Sequence, residues 1–288
     1  MPELPEVETI RRQLKPDIEG RRIVCAQVLD ERWTRPDPPG EIERALVGRT
    51  IERVERRGKY LLLRLEGDRT LAMHLRMTGN LLLWDGAGDP PYLRAKLHLD
   101  DERRLLFTDA RRFGHAVVLR DDELDGYFAA RLGVEPLSDS LTAEELCRMA
   151  AGRRAPLKSF LLNQLGVAGI GNIYADEALH RAELHPLSPA SSMKRQHCER
   201  LRIGIVEALE AGLRAGGASI DDYRDARGEQ GAMQDEFLVH TRDGKPCPRC
   251  GSEIRRIVVA GRSTYFCPAC QQRLRRRSRR RRSGGARS

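Results

Sequence analysis

Two pairs of cysteines near the C-terminus constrain this chain more than any other feature of it. "CPRC" spans 247–250 and "CPAC" spans 267–270, which gives Cys-x2-Cys, sixteen residues, Cys-x2-Cys. Four thiolates in two close pairs suit one tetrahedral zinc ion, and the gap suits a β-hairpin. With Cys247, Cys250, Cys267 and Cys270 all used as ligands, the site is closed. The metal is then structural, holding a hairpin too small to have a core of its own. Gly261 and Arg262 fall near the hairpin turn. Two readings of Arg262 stand at this point: a cation presented at a tip, or a solvated turn residue. Cys25, Cys147 and Cys198 lie apart in the sequence and are expected to be buried small hydrophobes.

Charge narrows the choice of partner less than it first suggests. The formal net charge is +9, which points to nucleic acid. Residues 271–288, however, hold nine arginines and no acid, and the rest of the chain has 42 basic and 42 acidic residues. The tail reads as a disordered, solvated charge run that adds salt-sensitive attraction to phosphate. Residues 241–270, with six basic and two acidic side chains, are the better clue. No secretory segment opens the chain, and its apolar runs fall far short of a membrane span. The expectation is a soluble, cytoplasmic protein with no membrane partner.

The first 130 or so residues read as β-rich. "RRIVCAQVLD", "KYLLLRLEG", "RTLAMHLRMTGNLLLW", "AKLHLDDERRLLFTD" and "FGHAVVLR" alternate in part, with "EGD", "GAGDPP" and "DDE" as turn signals between runs. Strands at this spacing suggest a sandwich or flattened barrel. The opening is different. Val7, Ile10 and Leu14 mark one face of a helix, and Pro5 suits its first turn. A second short helix is expected over Glu41–Leu46. Pro136 and a Ser/Asp cluster mark a linker, after which Thr142 and Glu145 read as a capping box that starts a helix through Met149. The pattern stays helical to Leu213, and a loop rich in Gly, Asp and Arg over 216–234 leads into the cysteine segment. The fold class is an α+β multidomain chain.

Two further stretches carry chemistry. "LGVAGIGNIYADEAL" places Gly166, Gly169 and Gly171 before a helix near Asn172. No strand precedes them and helices flank both sides, so the βαβ context of a dinucleotide-binding turn fails and that reading is weak. A tight turn between helices remains, with Asn172 as N-cap, either a plain connection or a phosphate grip. At the N-terminus, removal of Met1 would leave Pro2 with a free secondary amine. A model α-amino group titrates near ~7.7–8.0, so it is substantially neutral and nucleophilic at physiological pH. Glu3 is placed to transfer protons, and Glu6 shares its helical face. Taken alone, these residues also read as a chance terminal proline and two capping carboxylates.

Together these motifs resemble formamidopyrimidine-DNA glycosylase, the bacterial repair family for oxidised purines. The resemblance covers about 1–271 and rests on "PELPEVETIRR", "RRGKYLLL", "HLRMTG", "DARRFG", "GIGNIYADEAL", "GGASIDDYRDARGEQG" and "CPRC…GRSTYFCPAC" in that order. It implies an N-terminal β-sandwich with its helix (1–133), a helix–two-turns–helix domain (134–235) and a β-hairpin zinc finger (236–271). The basic tail (272–288) lies outside the pattern. It implies one structural zinc per chain. Double-stranded DNA carrying oxidised bases or abasic sites is bound by a monomer in the cleft between domains.

The resemblance also assigns roles. Pro2 is the nucleophile at C1′ of the damaged nucleotide, and Glu3 moves protons during base release. Lys59 serves β-elimination and contacts phosphate. Arg262 grips the lesion phosphate and is linked to δ-elimination, and Asn172 binds phosphate. Met77, Arg111 and Phe113 fill the hole left by the extruded nucleotide. Glu6, His74, Tyr92, Arg153 and Lys158 fall among DNA-contacting positions, and the 217–234 loop closes over the flipped base. The implied activity is a glycosylase and abasic-site lyase for 8-oxoguanine and formamidopyrimidines. The rivals are an endonuclease VIII-like enzyme for oxidised pyrimidines, typically "PEGPE" where this chain has "PELPE", and a non-catalytic damaged-DNA-binding zinc protein. The sequence departs from the pattern at Tyr92, where many relatives have histidine. It departs again at His240 and Thr241, where Tyr-Gly is frequent.

Overall fold

The computed structural model describes residues 1–220 and 222–274, so most of the expected basic tail lies outside the described residues. Helix α1 (Leu4–Ile18) opens the chain. It is followed by β1 (Ile23–Val28), α2 (Pro39–Leu46), β2 (Ile51–Arg57), β3 (Tyr60–Leu65), β4 (Arg69–His74), β5 (Gly79–Trp84), β6 (Leu93–Leu99), β7 (Arg104–Asp109) and β8 (His115–Arg120). The strands form two four-stranded sheets, β1-β6-β7-β5 and β2-β3-β4-β8, with every pairing antiparallel. Their inner faces meet in one core that includes Leu63, Leu71, Leu97 and Phe107.

The run "YLLLRL" is apolar on both faces for a reason. Leu61, Leu63 and Leu65 point into the sandwich, while Tyr60 and Leu62 meet Leu124 and Phe128 of α3 (Asp121–Ala129). Sequence reading treated the "DDE" that opens α3 as a turn. Three acids in a first turn are also what a helix N-terminus favours, and the Arg120 N–H donates to Glu123 Oε2 at 2.8 Å.

The helical domain contains α4 (Ala143–Ala150), α5 (Leu157–Leu162), α6 (Asn172–Arg181) and α7 (Arg195–Arg214). Thr142 caps α4 as its sequence implies, accepting the Glu145 N–H at 3.1 Å. One cysteine expectation is overturned. Cys147 of α4 and Cys198 of α7 are joined by a disulfide, their Cα atoms 5.8 Å apart. They lie 51 residues apart in sequence, so only the packing of α4 on α7 reveals the pair. Cys25 stays free and half-buried.

Helix α1 belongs to both cores. Val7, Ile10, Leu14 and Ile18 enter the sandwich, whereas Leu4 enters the helical core and its N–H reaches the Gly169 carbonyl at 3.0 Å. This double membership holds the first residues at the domain junction. The last module is the hairpin β9 (Arg255–Val259) and β10 (Arg262–Phe266), with Val259 opposite Arg262. Its two-residue turn, Ala260 and Gly261, has φ of 49° and 73°, as a type I′ turn requires. Arg262 flanks the turn on β10.

Candidate active site

The start of α6 is capped from another domain. Its own N-cap is Gly171, not Asn172 as the sequence suggested; Asn172 is the first helical residue. Glycine offers no side chain to the orphan N–H groups there. Glu3 supplies one. Its Oε2 accepts the Gly171 N–H at 2.7 Å and the Tyr174 N–H at 3.3 Å, and its Oε1 accepts the Ile173 N–H at 2.9 Å. Glu3 is 1% exposed, and Pro2 before it is buried.

Glu6 completes this junction. Its Oε2 accepts the Glu3 N–H, and its Oε1 accepts the Tyr174 hydroxyl and the Ala218 N–H, each at 2.7 Å. Burial, and then the charge of Glu3, hold the Glu6 carboxyl above its ordinary value. Glu6 therefore braces α1 against α6 and the loop after α7. It does not lie open to DNA, which corrects its expected place among the contacts.

Lys59 sits in the tight turn between β2 and β3 and is 5% exposed. A methyl group added to Gly171 would lie 2.4 Å from Glu3 Cδ and 2.6 Å from Lys59 Nζ. The carboxylate and the amine thus converge on one α-carbon. Burial lowers the Lys59 pKa against the opposing pull of Glu3 and Glu6, and the nearby Arg262 and Arg76 lower it further. A neutral amine is easier to reach here than on a solvated lysine. Asn172 Nδ2 donates to the Ser263 carbonyl at 3.0 Å, so the start of α6 and the zinc hairpin meet beside Arg262.

Met77 and the pair Arg111 and Phe113 occupy two different turns, after β4 and after β7. A buried carboxylate with no distinguishing local signal in the sequence joins them. Asp109 accepts from the Thr78 hydroxyl, from Arg111 N–H at 3.2 Å and from Gly114 N–H at 2.7 Å. Thr78 Oγ1 also accepts the Arg111 N–H at 3.0 Å. Phe113 is 52% exposed, and the Arg111 guanidinium lies 4.9 Å from its ring centroid. An exposed phenylalanine stacked under an arginine is not a core residue; its ring is open to a ligand.

The other expected DNA contacts divide. Arg153 is exposed, and Tyr92 is 61% exposed with φ of 62°. His74 is largely buried; its Nδ1 accepts the Arg76 N–H at 3.0 Å, so it shapes the turn before Met77. Lys158 is corrected outright. It is fully buried, with Nζ 2.6 Å from Asp176 Oδ1 and 2.6 Å from the Asn172 carbonyl, and it has no surface to offer a phosphate. A cavity of about 340 Å³ is lined in part by Thr78, Tyr92, Asp222 and Arg224. Pro2, Glu3 and Lys59 do not line it.

The sulfurs of Cys247, Cys250, Cys267 and Cys270 all lie within 4.8 Å of one another. Tetrahedral zinc with Zn–S near ~2.3 Å places its sulfurs about 3.8 Å apart, so the four thiolates fit that ion. Apart from Cys247 and Cys267, the module's own core holds only Val239, Ile254 and Tyr265, too little to order it alone.

Comparison with known proteins matches three stretches of the chain. Residues 1–116 match the formamidopyrimidine-DNA glycosylase N-terminal domain, 132–224 its H2TH domain, and 244–273 the zinc finger found in FPG and IleRS. The chain is similar to the formamidopyrimidine-DNA glycosylase of Chloroflexus aurantiacus, with 45% identity over 272 residues. That of Chloroflexus aggregans is 47% identical over 274 residues. Each match covers 94% of this chain and 98% of the relative. Lactococcus lactis Fpg bound to DNA containing an abasic site has a similar structure, with a TM-score of 0.88 at 35% identity over 94% of this chain and 100% of that one. The same Lactococcus lactis enzyme has also been solved with DNA containing an oxidised pyrimidine, again with a TM-score of 0.88. On these matches this chain belongs to the formamidopyrimidine-DNA glycosylase family.

Proposed function

We propose that this chain is a bifunctional DNA glycosylase and abasic-site lyase of base excision repair, acting as a monomer on oxidised purines in the cytoplasm. The observation that carries the reading is the convergence on Gly171 of Lys59 and of Glu3, the residue next to Pro2. With Met1 removed, Pro2 is a secondary amine. Its lone pair attacks C1′, the C1′–N bond breaks, and the departing base takes a proton. Glu3 is the adjacent carboxylate for that transfer. The amine gives up its proton, the C1′–O4′ bond opens as O4′ takes one, and C1′ and the proline nitrogen form an iminium; this withdraws electrons, so C2′ loses a proton and the 3′ phosphate leaves, and a second elimination releases the 5′ phosphate.

The target carbon is unreachable in a stacked duplex, so the nucleotide must be flipped out at a cost of a few kcal/mol. Met77, Arg111 and Phe113 would occupy the gap. Asn172 and Arg262 would hold the lesion phosphates, which supply affinity without base specificity. Zinc orders the hairpin that carries Arg262 and takes part in no bond change. Cleavage of duplexes carrying 8-oxoguanine, a formamidopyrimidine or thymine glycol, with analysis of the cut ends, tests the reading. Purine lesions should be cut fastest, with phosphate on both sides of the gap. Preference for thymine glycol would transfer the chain to the pyrimidine class.

A further inference from the structure

Asp176 and His240 have no part in the chemistry above, yet they are buried together at the seam between the helical domain and the zinc finger. Asp176 Oδ2 lies 2.8 Å from His240 Nδ1, and Asp176 Oδ1 lies 2.6 Å from Lys158 Nζ. Lys158 also donates to the backbone carbonyl of Asn172 at 2.6 Å. The Asn172 side chain reaches the Ser263 carbonyl on β10. Two residues further along β10, the Tyr265 ring stands edge-on to His240, with centroids 5.0 Å apart. These contacts form a closed circuit: Asn172, Ser263, Tyr265, His240, Asp176, Lys158 and back to Asn172. None of Lys158, Asp176 and His240 is more than 5% exposed.

We propose that Asp176 and His240 are positioning residues. They set the start of α6, which carries Asn172, against the hairpin that carries Arg262, so that both side chains meet one stretch of phosphate backbone. This rests on the reading of Asn172 and Arg262 as phosphate ligands. A purely structural seam does not need the His240 side chain. Glu177 already anchors that segment by its backbone, accepting the N–H groups of Leu238, Val239 and His240 at 3.0–3.1 Å. The imidazole does something separate: it holds the carboxylate that orients Lys158, and Lys158 holds the Asn172 carbonyl. Removing the ring N–H leaves the segment attached but lets the start of α6 shift relative to β10.

The test uses the full zinc-loaded chain and a duplex carrying a tetrahydrofuran abasic analogue. His240→Phe keeps a ring against Phe237 and Tyr265 but has no nitrogen, whereas His240→Asn offers an amide N–H near the position of Nδ1. His240→Phe should weaken binding about five- to tenfold, the scale of one lost hydrogen bond, and His240→Asn should restore it to within about twofold. Zinc content should be equal in both. In a chain already carrying Asn172→Ala and Arg262→Ala, His240→Phe should change affinity by less than about twofold, because nothing is left to position. If Asn172→Ala and Arg262→Ala do not weaken binding by themselves, the phosphate-ligand reading fails. If they do, but His240→Phe has the same effect in both backgrounds or His240→Asn fails to rescue, the positioning role is overturned.

Discussion

Glu3, on the first helix of the sandwich domain, caps the helix that begins after Gly171 in the next domain, accepting its N–H at 2.7 Å. The residue proposed to transfer protons is therefore also a joint between domains. In Glu3→Gln only one side-chain oxygen remains, so one of the three N–H donors faces an amide N–H₂ instead. Base release should fall by at least ~10²-fold, the low end for a lost general acid–base group. Incision at a preformed abasic site should fall far less, and stability should drop by roughly 1–2 kcal/mol. Single-turnover rates on both substrates, with a melting curve, check this; equal loss on both substrates would count against the assignment.

Gly171→Ala separates the site from the fold. Gly171 has φ of −125°, which alanine adopts without strain, so the backbone has no objection. The new methyl group would strike Glu3 Cδ and Lys59 Nζ, both at the ends of flexible side chains. Those side chains move while the helices stay. Melting temperature should fall by roughly 5–10 °C as the Glu3 cap on α6 loosens, with the chain still folded. Single-turnover base release should fall by about 10²-fold, in keeping with displacement of reacting groups by an ångström.

Pro2 should be trapped covalently. Borohydride reduction during turnover of an 8-oxoguanine duplex should fix one enzyme chain per DNA through the proline nitrogen. The yield should follow the fraction of chains that mass spectrometry shows to lack Met1. With Met1 attached the nitrogen is an amide with no lone pair to donate. A Pro2→Gly variant that kept full trapping and base release would sink the assignment.

The parts of this design that are local in sequence could be read from it. The apolar face Val7, Ile10 and Leu14 shows in a 3.6-residue period, the zinc ligands in their spacing, and the β-rich character of the first domain in five runs that alternate in part. What escaped is whatever needs two distant segments. Asn172 looks like an N-cap because Asn is a good one; that Glu3 performs this role from 170 residues upstream has no local signal. Lys158 looks like a surface cation until Asp176 is seen to bury it, and Asp109 is an ordinary strand-end aspartate until two turns close around it. Cys147 and Cys198 look solitary until α4 packs on α7.

Stability should fall on mild acidification. Burial, with Arg76 nearby, pushes the His115 pKa down to about 4, and the stacked His74 is held well below its ordinary value by burial and the same arginine. In the unfolded chain both titrate near ~6.5. Between pH 6.5 and 4 the unfolded state binds protons that the folded state refuses, so the stabilisation present above pH 6.5 is lost as pH falls through that window. The loss from His115 should be on the order of 2 kcal/mol. Denaturant titrations at pH 7.5 and 4.5 measure it, and His115→Gln should flatten the difference.

Removing zinc should disable the grip without unfolding the chain. The hairpin has almost no apolar core, so its order depends on the ion. Its base, however, is tied down independently: Gln271 accepts the Cys267 N–H at 2.8 Å and donates to the Leu184 carbonyl at 3.0 Å. The sandwich and helical cores contain none of the four ligand cysteines. Chelation should therefore free the tip that presents Arg262 while both larger cores persist. Affinity for an abasic-analogue duplex should fall at least about tenfold, and the salt dependence should lose about one unit of slope as one arginine–phosphate contact disappears. Circular dichroism should change little, and added zinc should restore binding. Unchanged affinity after complete metal loss would show that the hairpin contributes nothing to DNA binding, and Arg262 would return to being a solvated turn residue.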